Sequence, residues 1–306
     1  MPPWCGECGD GGGDPGCGVR CDLRETGVIA VDAATGFADR LAQFWSSHFS
    51  MRATGAHARI MIESFLEDVI RAHQLGRFAD LLKAATTHQA MLTYLDQTSS
   101  VGPGSRLASR RSKPMGLNEN HARELLELHT LGVGDAYSQQ DVRQLAELMT
   151  GLIVAKDHDL KYDINRAEPG TETVLGKEYG GATPPELAEV EAFLDDLAIH
   201  PGTARFISTK LARHFCADIP PADLVEAMTR RFSDTDGDLM AVYEVMVSHP
   251  AAQDSFGQKV RQPFDYVASS LRALGVPGQA ILAIEPRRIR NDLGAALAEG
   301  LAAGIF

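Results

Sequence analysis

Between Leu117 and Gly132 the chain reads Leu-Asn-Glu-Asn-His-Ala-Arg-Glu-Leu-Leu-Glu-Leu-His-Thr-Leu-Gly, and the residue types that could do chemistry are densest here. At about 100° per residue Ala122, Leu125, Leu126 and Leu128 fall on one side of a helix, while Asn120, Arg123, Glu124 and Glu127 share the opposite arc. Neighbouring carboxylates can hold a metal ion, or divide acid and base roles when their surroundings separate their pKa values. His121-x-x-Glu124 has the spacing of half a helix-bundle metal site, but the chain has no second Glu-x-x-His to complete it. The plainer alternative is a ladder of ion pairs, Glu119 to Arg123 to Glu127, worth about 0.2 to 0.5 kcal/mol per pair.

Cys5-x-x-Cys8 and Cys17-x-x-x-Cys21 could place four thiolates around a tetrahedral zinc. The loop between them has almost no apolar residue to help organise such a site, so a disordered head is the favoured reading over zinc. Cys216, beside Phe215 and after Leu211, reads as a small buried hydrophobe. No nucleophile elbow, phosphate-cradling glycine loop, or nucleotide or flavin signature is present, so no cofactor follows from the sequence.

The elements that must position these residues follow from periodicity. Phe37, Leu41, Phe44, Trp45 and Phe49 mark a helix over 36–50, and a second, apolar around much of its circumference, spans 59–72. Residues 78–96 form one helix or a pair broken near Thr86-Thr87. Residues 97–115, rich in Ser, Gly and basic side chains, read as a mobile, solvated connection. Asn118 is suited to cap the central helix and Gly132 to end it. Ser138 with Asp141 opens the next helix as a capping box. A β-hairpin is expected within 152–183, with Tyr162 and Ile164 on one arm and Thr173 to Leu175 on the other. Helical rhythm then returns over 187–198, 203–215, 222–232, 239–247 and 263–274, punctuated by proline and by the turn Asp234-Thr235-Asp236-Gly237-Asp238. That turn lacks a Glu at the twelfth position of a calcium loop, where Val245 stands, so it reads as a helix cap. The fold expected is mainly α, a multi-helix orthogonal or bundle-like domain over 36–276, with a small irregular or hairpin insertion near 152–183. A Cys- and Gly-rich head (1–35) precedes it and a divergent, partly helical tail (277–306) follows.

With 44% hydrophobic and 23% charged residues in 306, the chain is long enough to bury one large or two ordinary cores. A net charge of −12 argues against nucleic acid and against an anionic membrane surface, since both require clustered Lys and Arg. No window approaches the roughly 18 to 20 apolar residues of a membrane span. Residues Met1 to Arg24 lack the apolar core of a signal peptide, which makes cytoplasm the expectation for the sequence as written.

Several blocks together resemble the bacterial family called domain of unknown function 1800. They are Phe44-Trp45-Ser46-Ser47-His48-Phe49, Met91-Leu92-x-Tyr94-Leu95-Asp96, Asn118 to Leu128 with Thr130 to Gly134, Tyr137-Ser138-x-x-Asp141-Val142-Arg143 with Thr150-Gly151, Glu168-Pro169-Gly170 with Val174-Leu175-Gly176, His200-Pro201-x-Thr203-Ala204, Lys210 to Phe215, Thr235 to Leu239, and Leu271 to Gly275. The resemblance covers roughly residues 36–276 and brings no assigned reaction. It implies an exported or periplasmic setting in which a piece of the N-terminus is missing. It also implies an accessory role beside a neighbouring family similar to alkaline phosphatases and sulfatases, a possible protein partner. The head and the tail look unlike the family, which suggests truncation at both ends.

Within the matching blocks His48, Asp96, Asn120, Arg123, Glu124 and Glu127 form the candidate polar site, the basis of a hydrolase-like alternative to a binding role. His121 and His129 stand where the family usually has aromatic residues and so read as aromatic replacements. Ala167 and Glu172 stand where it commonly has His and Lys, and Leu152 where it has Trp.

Overall fold

The computed structural model describes Asp32 and residues 36–282, apart from 53–55, 111–115, 135, 156–159 and 184. The proposed zinc ligands Cys5, Cys8, Cys17 and Cys21 lie outside the described residues, as does the tail beyond Leu282.

The chain is mainly α with two small antiparallel hairpins. In order come α1 (Phe37–His48), α2 (Ala56–Phe65) running into a π-helical turn (Leu66–Arg71), α3 (Phe78–Thr87), α4 (Gln89–Tyr94) and α5 (Arg106–Ser109). The central segment is α6 (Asn120–Glu124), continued as π-helix over Leu125–Thr130, and α7 (Gln139–Leu148) follows. After strands β1 (Leu152–Val154), β2 (Leu160–Tyr162), β3 (Thr171–Val174) and β4 (Lys177–Gly180) come α8 (Leu187–Ala198), α9 (Pro201–Phe215), α10 (Ala222–Asp234) and α11 (Leu239–Ser248). Short α12 (Pro250–Asp254), then α13 (Pro263–Ala273) and α14 (Gln279–Leu282) complete the described chain. Local chemistry sets most of these ends. Proline occupies the first turn of α9, α12 and α13, where its missing N–H costs nothing. Ser138 and Asp141 make the expected capping box. Asp238 caps α11 by accepting from Ala241 N–H, and His88 separates α3 from α4 in extended conformation.

The chain divides into two compact units. Residues 1–40, 54–60 and 261–306 make one, in which the Gly278 N–H donates to Asp32 Oδ1 at 2.8 Å. Residues 41–53 and 61–260 make the other.

The core of this larger unit is aromatic. Trp45 is fully buried, lies 5.8 Å from Phe78 between ring centroids, and donates through Nε1 to Tyr243 Oη at 2.8 Å. Tyr243 donates in turn to the Gln74 carbonyl at 2.9 Å, so the two buried polar atoms satisfy each other and the ring faces are left for packing. Phe78 packs on Phe232 of α10, and Gly237 lets the turn before α11 close over the Phe232 ring and the Phe78 Cβ. Around this centre α9, α10 and α11 pack in succession, α3 packs on α8, and α7 packs on β3.

Two expectations change. Tyr162 and Thr173 are not arms of one hairpin. Tyr162 pairs with Leu152 in the first hairpin, and Thr173 with Glu178 in the second. The reason is the turn at Leu175 (φ 51°) and Gly176 (φ 77°), whose two left-handed residues fold β3 straight back on β4. The stretch 97–110 is also not simply solvated, because Gln97, Ser100, Val101 and Ser105 are buried. Gln97 Nε2 donates to the Met149 carbonyl at 2.8 Å and Gly102 N–H to the Arg166 carbonyl at 2.9 Å, pairing backbone that composition alone would have left to water. Cys216 is half-buried, with burial raising its thiol pKa.

Gly132 ends the central segment with φ 81°, and a Cβ there would lie 2.8 Å from the Phe206 ring of α9. Gly134 has open space around it. Gly132→Ala is therefore expected to destabilise by about 1 to 3 kcal/mol and Gly134→Ala by less than about 0.5 kcal/mol, as read by urea denaturation of the two variants side by side.

Candidate functional site

The central helix begins as its sequence suggests, one step displaced. Asn118 Oδ1 accepts from Asn120 N–H at 3.0 Å, while its amide donates to the carbonyls of Leu95 (3.2 Å) and Asp96 (3.1 Å). Helical bonding then starts with Arg123 N–H to the Glu119 carbonyl. From Leu125 the helix widens. Leu131 N–H reaches back five residues to the Leu126 carbonyl at 2.8 Å, and the Thr130 hydroxyl donates to the Leu125 carbonyl at 2.7 Å. The extra residue per turn shifts the inward face. Ala122, Leu125 and Leu126 are buried as expected, but Leu128 is 44% exposed, and His129 and Thr130 take the inward positions.

Of the expected polar site, Asn120 is exposed, and Arg123, Glu124 and Glu127 are half-buried on the outer face. Arg123 pairs with Glu119 at 3.1 Å and donates to Gln139 Oε1 at 2.9 Å; the continuation to Glu127 is not made. Burial, and then the nearby Glu127 charge, raise the pKa of the Tyr137 hydroxyl. Burial, and then the Glu127 charge, raise the Glu124 pKa. Asp96 is exposed and left-handed (φ 54°), with its carbonyl bonded to Asn118. His48 is buried, with Nε2 at 3.0 Å from the His129 carbonyl. Asn118 and His129 are eleven residues apart, on the order of 15 Å along a helix, so Asp96 and His48 meet the segment at opposite ends.

His48 belongs to a second group that the sequence did not single out as a site. Because its Nε2 faces a carbonyl, that nitrogen carries the proton, and Nδ1 accepts from Lys210 Nζ at 2.8 Å. The ring is edged by Phe49 and Trp45 and neighbours His129, with ring centroids 6.0 Å apart. Burial, followed by the Lys210 charge and by His129, holds the His48 pKa well below the usual histidine range. Burial also takes His129 and His121 down to about 3, and both ring nitrogens of His121 lack a hydrogen-bond partner. His121 and His129 are both buried. Lys210 is lowered to about 8 by burial and lies over the Phe206 ring, 5.2 Å from its centroid.

A third group is acidic. Glu172 is only 4% exposed, at an inward position of β3 between outward Thr171 and Thr173. A Cβ on Gly180 would lie 2.7 Å from its Oε2. Burial, with Glu168, Glu147 and Glu189 nearby, pushes the Glu172 carboxyl up to about 7. Glu168 Oε2 accepts from Gly104 N–H at 2.7 Å, and a Cβ on Gly102 or Gly104 would come within 2.5 Å of its carboxylate. Here Gly-rich backbone from the 97–110 stretch, expected at the surface, closes around a carboxylate of the chain itself. Tyr162 sits close enough to Glu189 and Glu172 that burial and their charges raise its hydroxyl to about 12.

Among the described residues no three His, Cys, Asp or Glu side chains are disposed to hold a metal ion, and no helix is long and apolar enough to cross a membrane. The family model described as "Protein of unknown function (DUF1800)" matches residues 25–300, and the chain belongs to that family. The match reaches beyond 36–276 on both sides. Among curated proteins and solved structures nothing matches the chain.

Lys210 lies in one of the blocks quoted above and Glu172 at a noted substitution, but only their burial marks them. An inward glutamate in the alternation of β3 was the one sequence signal available for the acidic group. Because the folded pKa of Glu172 lies above the ordinary 4.5, the unfolded chain releases its proton first, and this residue costs stability increasingly as pH rises from about 4.5 to 7. Glu172→Gln is expected to leave stability nearly unchanged at pH 4.5 and to raise it by on the order of 1 kcal/mol at pH 8. Paired denaturation curves across that range check it, and subtracting wild type from variant removes the histidine contributions, which run the other way.

Proposed function

We propose that this chain is a binding or accessory component of a bacterial envelope-associated system and that it meets a protein of the phosphatase- and sulfatase-like family. The observation that supports a protein contact is a set of apolar side chains held out into solvent by a tied pair of loops. Asp218 pairs with Lys259 and accepts from Val260 N–H at 3.1 Å. Beside this tie Ile219 is 89% exposed, Phe256 95% and Val260 72%. Large apolar side chains fixed in place without burial fit a partner that covers them, since scattered single hydrophobes need no such anchoring. The outer face of the central helix, with Arg123 bonded to Glu119 and Gln139, supports a structural role for that face.

The hydrolase-like alternative draws on Glu124 and Glu127, neighbouring carboxyls of which one is raised by burial and by the other. One experiment separates the two. The chain is co-expressed with its phosphatase-like neighbour, purified under mild conditions, and assayed alone for ester hydrolysis. Association lost in Phe256→Asp and Ile219→Asp, with unfolding midpoints unchanged, is the expected result. No association in wild type, together with hydrolysis that Glu124→Gln abolishes, would favour the alternative.

A further inference from the structure

Lys83, Lys177 and Lys259 each meet an aspartate, respectively Asp195 at 2.9 Å, Asp196 and Asp218. Lys210 does not. Among the described residues no carboxylate lies within 4 Å of its nitrogen, and its one hydrogen-bond partner is His48 Nδ1. That partner is fixed in its role. With Nε2–H committed to the His129 carbonyl, the imidazole is neutral and presents only a lone pair to the lysine. The other groups near the nitrogen add no negative charge. His129 comes from the central segment, Phe206 lies one turn back on α9, and Arg213 and His214 lie one turn on. A half-buried amine with no counter-anion loses much of what normally keeps it protonated, and a neutral amine is a nucleophile.

We propose that the Lys210 amine, held on His48, is a Schiff-base site for small aldehydes or ketones. One N–H of the neutral amine donates to His48 Nδ1, which leaves the lone pair and the second N–H directed away from the ring. The lone pair attacks the carbonyl carbon to form a carbinolamine. The nitrogen then loses its second proton to solvent while the hydroxyl takes up a proton and departs as water, so C=N replaces C=O with no change of oxidation state. His48 is a positioning residue here. Its imidazole fixes where the nitrogen sits but is too weak a base to keep the proton. The lysine at about 8 is consistent with this chemistry near neutral pH. The test of this site requires no partner.

The test uses the intact full-length protein, propanal as the carbonyl probe and sodium cyanoborohydride to trap the imine, with each lysine followed by peptide mass spectrometry from pH 6.5 to 10. Lys161, exposed and with no aspartate partner among the described residues, and Lys177, paired with Asp196, are the internal standards. At pH 7.5 Lys210 is expected to be alkylated about tenfold faster than either, with a rate that levels off near pH 8 while theirs keeps rising. In His48→Gln the Lys210 rate should fall several-fold and the standards should not change. The wild-type measurement decides alone if that variant does not fold. Alkylation of Lys210 no faster than Lys161, or a Lys210 rate still climbing at pH 10, would overturn the proposal.

Discussion

One line of hydrogen bonds, from Lys210 Nζ through the His48 imidazole to the His129 carbonyl, joins α9, α1 and the π-helical central segment inside the larger unit. Much of the surrounding geometry depends on it. The His129 carbonyl faces His48 within a segment whose widened turns also carry His129 and Thr130 inward and Leu128 outward. Gly132 then lets the chain leave that segment against Phe206, the ring that Lys210 covers. On its other side the imidazole is edged by Trp45, which is tied through Tyr243 to the backbone at Gln74.

The unit thus contains two buried groups of like character, one basic and one acidic. Each costs stability in the way unpaired buried ionisable groups do, and each escapes the full cost by giving up charge. His48, His121 and His129 stay neutral because protonation in this interior is disfavoured, while Glu172 keeps its proton to about pH 7 because it is buried and, in addition, three carboxylates stand near it. The net charge of −12 foretells neither, because it averages over a surface where pairs such as Arg230 with Glu226 simply face water.

The helices were legible because their signals are local. Proline at the starts of α9 and α13, the Ser138–Asp141 box and Gly132 all act within one turn, and apolar spacing within a window sufficed for α7, α8 and α10. What was missed depends on contacts distant in sequence. Nothing near Lys210 reveals that His48, 162 positions away, will be its partner in place of an aspartate. Nothing near Gly104 reveals that Glu168 will reach its amide. Periodicity groups Asn120, Arg123, Glu124 and Glu127 on one helix face, and in the structure these four are exposed or half-buried. Whether that face is buried depends on what packs against it, and a period of 3.6 does not anticipate the π-helical turns that follow.

Three histidines, His48, His121 and His129, are buried with pKa values lowered by that burial, and nitrogen-15 correlation spectroscopy of the imidazole rings between pH 8 and pH 5.5 measures their charge directly. His48 is predicted to remain the Nε2–H tautomer, and His121 and His129 to remain neutral, across the whole range. A Nδ1–H signal for His48, or protonation of any of the three near the ordinary 6.5, would contradict it.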